Sequence, residues 1–174
     1  MLTARYTLGG CGLISGALGF GGMDINYVSL TTTEKWSGTS WATTSTLPGG
    51  RMGLIACGLI SGALCIYSIT VDKWSGTSWA TTIASNISHM YGGAAGDDST
   101  SIISGGGSGN APIKTELWSG TAWRTTVLTN NGFNSGTNVG TSLSTLMFGV
   151  GNTEKWSSYG DTWTDVSSTG DVKW

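Results

Sequence analysis

The chain states one motif four times. Residues 33–44 read TEKWSGTSWATT, 71–82 read VDKWSGTSWATT, 115–126 read TELWSGTAWRTT, and 153–165 read TEKWSSYGDTWTD. The first tryptophan of each motif falls at 36, 74, 118 and 156, so the spacings are 38, 44 and 38 residues. The upstream halves match as well: GLISGAL occurs at 12–18 and again at 58–64. Weaker versions stand at Ser101–Gly106 and Leu143–Gly149. The chain divides into units of roughly 1–46, 47–84, 85–128 and 129–174, forming one repeat domain over 1–174. A unit this short cannot bury its own apolar face, so the units must pack on one another.

Composition decides what the units are made of. Gly, Thr and Ser number 29, 26 and 23, Trp 9, and charged residues are only 10%. Helical bundles and coiled coils need Ala, Glu, Lys and Leu. A disordered chain could not leave nine indoles in water. The expected class is all-β. Each unit reads as four short strands. The first follows Arg5, Arg51 or His89, and the second ends in a glycine pair: Gly21-Gly22, Gly105-Gly106, or Gly149-Val150-Gly151. The second unit has Cys65-Ile66-Tyr67-Ser68 there instead.

The third strand ends at the first tryptophan and the fourth begins at the second. Ser37-Gly38-Thr39-Ser40 is then a four-residue hairpin loop. Trp36 and Trp41 face each other across it, as do Trp74 and Trp79, and Trp118 and Trp123. In the fourth unit the loop is six residues, and Trp156 and Trp163 still pair if register is kept. Small residues fill the first two strands and large aromatics the outer two. That gradient suits radiating sheets crowded at an axis, a propeller whose blades taper inward. A sandwich would need bulky inner faces on both sheets.

These features resemble the kelch family of β-propellers. The carrying residues are the basic Arg5 and Arg51, the glycine pairs Gly21-Gly22 and Gly105-Gly106, and the tryptophan pairs. The WSGTSWATT style looks most like kelch-like arrays in structural and tail proteins of tailed bacteriophages. The resemblance implies a four-bladed propeller, each blade a short four-stranded antiparallel sheet. It departs in having only four blades, and repeats shorter than the roughly 50 residues of kelch units. A compact unit closed by one chain is expected ahead of a ring shared between two chains. The segment Thr169–Trp174 is available to assist closure.

The chemistry is sparse. His89 is the sole histidine, which excludes a His-rich metal site. It also excludes the copper-radical chemistry of some kelch-like propellers, which takes two His ligands. A structural or surface role is expected for His89. The run Gly105–Asn110 lacks the Lys-Ser/Thr ending of a phosphate loop. Asp97-Asp98 lacks the oxygen series of a calcium loop and reads as solvated turn residues. Glu34, Asp72, Glu116 and Glu154 share one repeat position, a scaffold feature before a catalytic one. No cofactor is expected. Three cysteines cannot complete a disulfide framework, and Cys11 and Cys57 sit on different units, so reduced buried thiols are expected. Asn86-Ile87-Ser88 is a glycosylation sequon read as chance.

The net charge of −2 gives no reason to expect nucleic acid. Met1–Arg5 has no basic start followed by an apolar run, so no secretion signal is expected. The sixteen-residue stretch Met52–Tyr67 is short of the roughly 20 a membrane helix takes, and reads as a buried strand pair.

The expected function is a non-enzymatic structural or attachment protein of a phage virion or similar extracellular assembly. Its partners would be other virion or assembly proteins, itself, or a host-surface glycan, met through the loops Met23–Thr32, Gly107–Pro112 and Asn130–Asn138. The alternatives are a glycan-binding, lectin-like module using the tryptophans and, least supported, a propeller hydrolase or lyase. Trp174 lies outside the repeat and is a candidate partner contact.

Overall fold

Each repeat folds into one antiparallel sheet of four strands, numbered here in chain order. The computed structural model describes residues 1–106, 114–133, 135–149 and 152–168. Blade 1 holds β1 (Gly9–Leu13), β2 (Gly16–Phe20), β3 (Thr33–Trp36) and β4 (Trp41–Thr43). Blade 2 holds β5 (Ile55–Leu59), β6 (Gly62–Tyr67), β7 (Thr70–Trp74) and β8 (Trp79–Thr81). Blade 3 holds β9 (Gly93–Gly96), β10 (Ser101–Ser104), β11 (Lys114–Trp118) and β12 (Trp123–Leu128). Blade 4 holds β13 (Gly136–Gly140), β14 (Ser144–Gly149), β15 (Asn152–Ser157) and β16 (Thr162–Ser168).

Every blade pairs its strands in chain order, from the axis outward, and the four sheets stand in a ring: a four-bladed β-propeller. No described residue is helical, so no helix is long and apolar enough to cross a membrane.

The axis explains the small residues. β1 packs on β5, β5 on β9, and β9 on β13. The equivalent triplets Leu8–Gly10, Leu54–Ala56, Gly92–Ala94 and Gly136–Asn138 together line an axial cavity of about 280 Å³. At Gly93 a methyl group would collide with the backbone and side chain of Asn138, so only glycine fits there. The glycine pairs act at the other end of the blade. Gly21 and Gly22 have φ of 60° and 85°, and Gly105 and Gly106 have 66° and 81°, the left-handed region that glycine enters freely. That turn lets Gly22 N–H donate to Arg51 O (2.8 Å) and Gly106 N–H donate to Phe133 O (2.7 Å), each on the next blade. In blade 2, Ser68 takes φ 56° and accepts from His89 N–H instead. Val150 and Gly151 lie outside the described residues.

The tryptophan hairpins have the expected register: Trp36 opposes Trp41, Trp74 Trp79, Trp118 Trp123, and Trp156 Trp163. In blade 4 the longer loop is absorbed by one more pair, Ser157 with Thr162.

Three hydrophobic clusters hold the blades together, each at one of three seams. Leu18, Phe20 and Leu47 pack with Ala63, Cys65, Trp74 and Trp79 between blades 1 and 2. Leu64, Ile66 and Val71 pack with Ile103, Trp118 and Trp123 between blades 2 and 3. Ala95 and Ile102 pack with Phe133, Met147, Trp156 and Trp163 between blades 3 and 4. The rule is directional: the tryptophan face of each blade packs on the aliphatic face of the blade before it. Among the described residues no cluster joins blade 4 to blade 1.

Candidate functional site

The repeated polar residues are committed to the scaffold. The first indole of each blade ties the third strand of that blade to the turn between the first two strands. Trp36 donates to Ile14 O, Trp74 to Ile60 O, Trp118 to Asp98 O and Trp156 to Ser142 O, at 2.8, 2.9, 3.0 and 3.1 Å. The second indole reaches across the seam. Trp79 donates to Thr33 Oγ1 (2.9 Å) and Trp163 to Thr115 Oγ1 (2.7 Å). Val71 replaces that threonine in blade 2, and Trp123 donates to Ile83 O at 3.1 Å. All six of the tryptophans in blades 2 to 4 are buried, whereas Trp36 and Trp41 are partly exposed. A buried indole cannot present its face to a sugar. Trp174 lies outside the described residues.

The recurring carboxylates Glu34, Asp72, Glu116 and Glu154 are fully buried. Each clamps the segment that leads into its blade. Glu34 accepts from Leu2 N–H, Thr3 N–H and Arg5 Nη2. Glu116 accepts from Asn86 N–H, Ile87 N–H and His89 Nε2, the equivalent three positions. Glu154 accepts from Asn130 N–H and Asn131 N–H, with the Asn131 side chain adding a donor. Phe133 stands there in place of the basic residue. In blade 2 the first position is Pro48, which has no N–H. The carboxylate is the shorter Asp72, held by Arg51 and by Thr81 Oγ1.

Burial pushes the Glu34 carboxyl up, but the two N–H bonds and the Arg5 charge together hold it below the usual carboxylate value. Burial acts likewise on Glu116, and the His89, Asn86 and Ile87 bonds outweigh it.

Of the two roles expected for His89 the structure gives the structural one: it is fully buried, with Nδ1 3.1 Å from Gly105 O and Nε2 3.1 Å from Glu116 Oε2. Asp97 and Asp98 are partly exposed turn residues: Asp97 accepts from Ser99 and Thr100 to build its turn. Asp98 pairs with Lys73 at 3.1 Å across the seam of blades 2 and 3. The Asn86 side chain donates to Glu116. The pairing of the basic column with the acidic column was not foreseen from sequence; the signal available was that both recur at fixed positions in the same repeats.

What the scaffold leaves free lies at its ends. At the end of the inter-blade linkers, the loop Met23–Thr32 of blade 1 carries Ile25, Tyr27 and Val28 at 85%, 77% and 56% exposure. Its shape is fixed. Asp24 Oδ1 accepts from Asn26 N–H and Val28 N–H, both at 2.9 Å, and Tyr27 N–H donates to Asp24 O. Tyr27 is held at φ 63°, a strained conformation for a bulky residue, and meets Tyr6 edge-on with ring centroids 6.0 Å apart. Gly107–Pro112 falls within the residues not described, save Gly106 beside it. Asn130 and Asn131 are spent on Glu154.

At the opposite end, a groove of about 510 Å³ between blades 3 and 4 is lined by Leu117, Trp118, Trp123 and Leu143 and bridged by the Arg124–Asp161 pair. Among the described residues no group of three His, Cys, Asp or Glu could hold a metal ion.

No protein-family model matches the chain, and a search of curated proteins finds no match.

Proposed function

We propose that the protein is a non-enzymatic structural or attachment module of a phage virion or similar extracellular assembly, built on kelch-like repeats. The phage assignment is supported by the style of the WSGTSWATT hairpins. The contact role is supported by one observation above all: the Met23–Thr32 loop spends four hydrogen bonds among Asp24, Asn26, Tyr27 and Val28, and a strained tyrosine, on holding apolar side chains out in water. Large exposed apolar residues on a rigid loop are a contact surface. The buried state of the repeated acids, and of the one histidine, favours a scaffold over a hydrolase. The glycan reading is left with the partly exposed Trp36 and Trp41 and with exposed rings such as Tyr6, Tyr27 and Tyr159 as stacking surfaces.

The test is adsorption of the labelled chain to a panel of bacterial cells and to a glycan array, comparing wild type with an Ile25→Ser, Tyr27→Ser double variant. The expected result is cell or assembly-protein binding lost in the variant, with thermal stability retained. Binding untouched by the variant overturns the loop's role. Competition by a simple sugar replaces this reading with the lectin one, and substrate turnover replaces it with an enzyme.

A further inference from the structure

Among the described residues, the seam between blades 4 and 1 lacks the interactions the other three share. The aliphatic face of a blade is a column of four side chains, equivalent by strand register. In blade 1 it is Cys11, Leu18, Phe20 and Thr33, and in blade 2 Cys57, Leu64, Ile66 and Val71. In blade 4 it is Val139, Leu146, Phe148 and Thr153. Leu64, Ile66 and Val71 are fully buried, while Val139 and Phe148 are 62% and 39% exposed.

The partner face is open too. Trp41 is the second indole of blade 1, and among the described residues its Nε1 has no acceptor, although Trp79, Trp123 and Trp163 all have one on the preceding blade. Thr153 occupies in blade 4 the position from which Thr33 and Thr115 accept those bonds. A backbone relay stops at the same place. Gly53 N–H donates to Thr7 O, Tyr91 N–H to Gly53 O and Gly136 N–H to Tyr91 O, at 3.1, 3.3 and 3.0 Å. No bond returns from blade 1 to blade 4 among the described residues. Among the described residues no sheet mixes strands from the two ends of the chain, so no shared sheet there latches the ring.

We propose that these two faces are the halves of one head-to-tail joint completed by a second copy of this chain. The Trp36–Trp41 face of one copy seats on Val139, Leu146 and Phe148 of another, and Trp41 Nε1 donates to Thr153 Oγ1 across it. The occupant is a second copy because the joint repeats a pairing of faces the molecule already makes three times, and blades 4 and 1 must swing apart to admit it, which the lack of a shared sheet between them among the described residues permits. It does not rest on the role given to the Met23–Thr32 loop. Such a joint is heterologous, so copies either close on one another or run on as a filament.

The experiment is native mass and sedimentation of the full chain from low micromolar to near-millimolar concentration, with two single-face variants. Phe148→Glu places a charge on an already exposed position and disables only the blade 4 half. Trp41→Ala disables only the blade 1 half. The expected result is concentration-dependent assembly of the 17.9 kDa chain, and a monomer for each variant alone. Mixing the two variants should give a one-to-one dimer that grows no further, because one intact half remains on each. A wild-type monomer at every concentration overturns the proposal, as does assembly unaffected by Phe148→Glu. Should Trp41→Ala fail to fold, wild type against Phe148→Glu still decides.

Discussion

Trp79 donates its indole N–H to Thr33 Oγ1 at 2.9 Å, from the fourth strand of blade 2 to the third strand of blade 1. One bond thus joins the two most distinctive columns of the repeat across a seam. It is made again by Trp163 and Thr115, and its two halves stand apart at Trp41 and Thr153.

That contrast gives a matched pair of substitutions. Trp79→Ala opens a buried cavity and orphans a buried hydroxyl, and should cost about 3–5 kcal/mol. Trp41→Ala, at the same repeat position, removes a partly exposed ring and should cost about 1–2 kcal/mol in the monomer. Denaturant unfolding of dilute protein measures both; equal losses would show the fourth seam sealed.

Acid should unfold the protein through its buried carboxylates. Glu34 and Glu116 lie below their ordinary values when folded, and an unfolded Glu titrates near about 4.3. The folded state therefore binds fewer protons, and stability rises with pH through that region. The contribution is complete above the unfolded value and is lost as pH falls through the folded one. Melting temperature should be level from neutrality to about pH 5 and then decline. Glu116→Gln should be less stable at neutrality and show a shallower acid decline.

Gly93→Val should destabilise by about 1–3 kcal/mol through overpacking, because Asn138 of blade 4 occupies the space. Gly10→Ala meets only Leu18 O, at an ordinary 3.5 Å, and should be neutral or slightly stabilising. Thermal melts of the two separate axial crowding from a general intolerance of side chains in the inner strands.

The cysteines should be inert in the folded protein. All three are free, and burial pushes the thiols of Cys11 and Cys57 up to about 12. Reaction with a thiol-specific dye at neutral pH should wait on unfolding. Rapid modification of Cys57 would mean that the seam between blades 2 and 3 opens readily.

Much of this architecture could be read from residues alone. The phase of the tryptophans carried blade number, strand order and hairpin register, since a two-residue strand period leaves each paired Trp one available face. The crowding at Gly93 was implied by the small-residue strands. The buried ion pairs were not legible. Arg5 and Glu34 lie 29 residues apart, and only the folded blade brings the linker over β3. Nor could sequence rank the four seams, because Trp36 and Trp41 read the same as Trp74 and Trp79. Their difference arises from which blade precedes them. The Met23–Thr32 loop stood out as variable, but its fixed shape depends on Asp24 accepting two N–H bonds.

The central claim is that three seams are sealed within the chain and that, among the described residues, the fourth is not. Fluorine NMR of the fluorotryptophan-labelled protein, assigned by single substitutions, reads the solvent exposure of each indole directly. The account predicts that Trp79, Trp123 and Trp163 are protected at every concentration. Trp41 should be open in dilute solution and become protected as concentration rises. Protection of Trp41 at the lowest concentration, equal to that of Trp79, would contradict it.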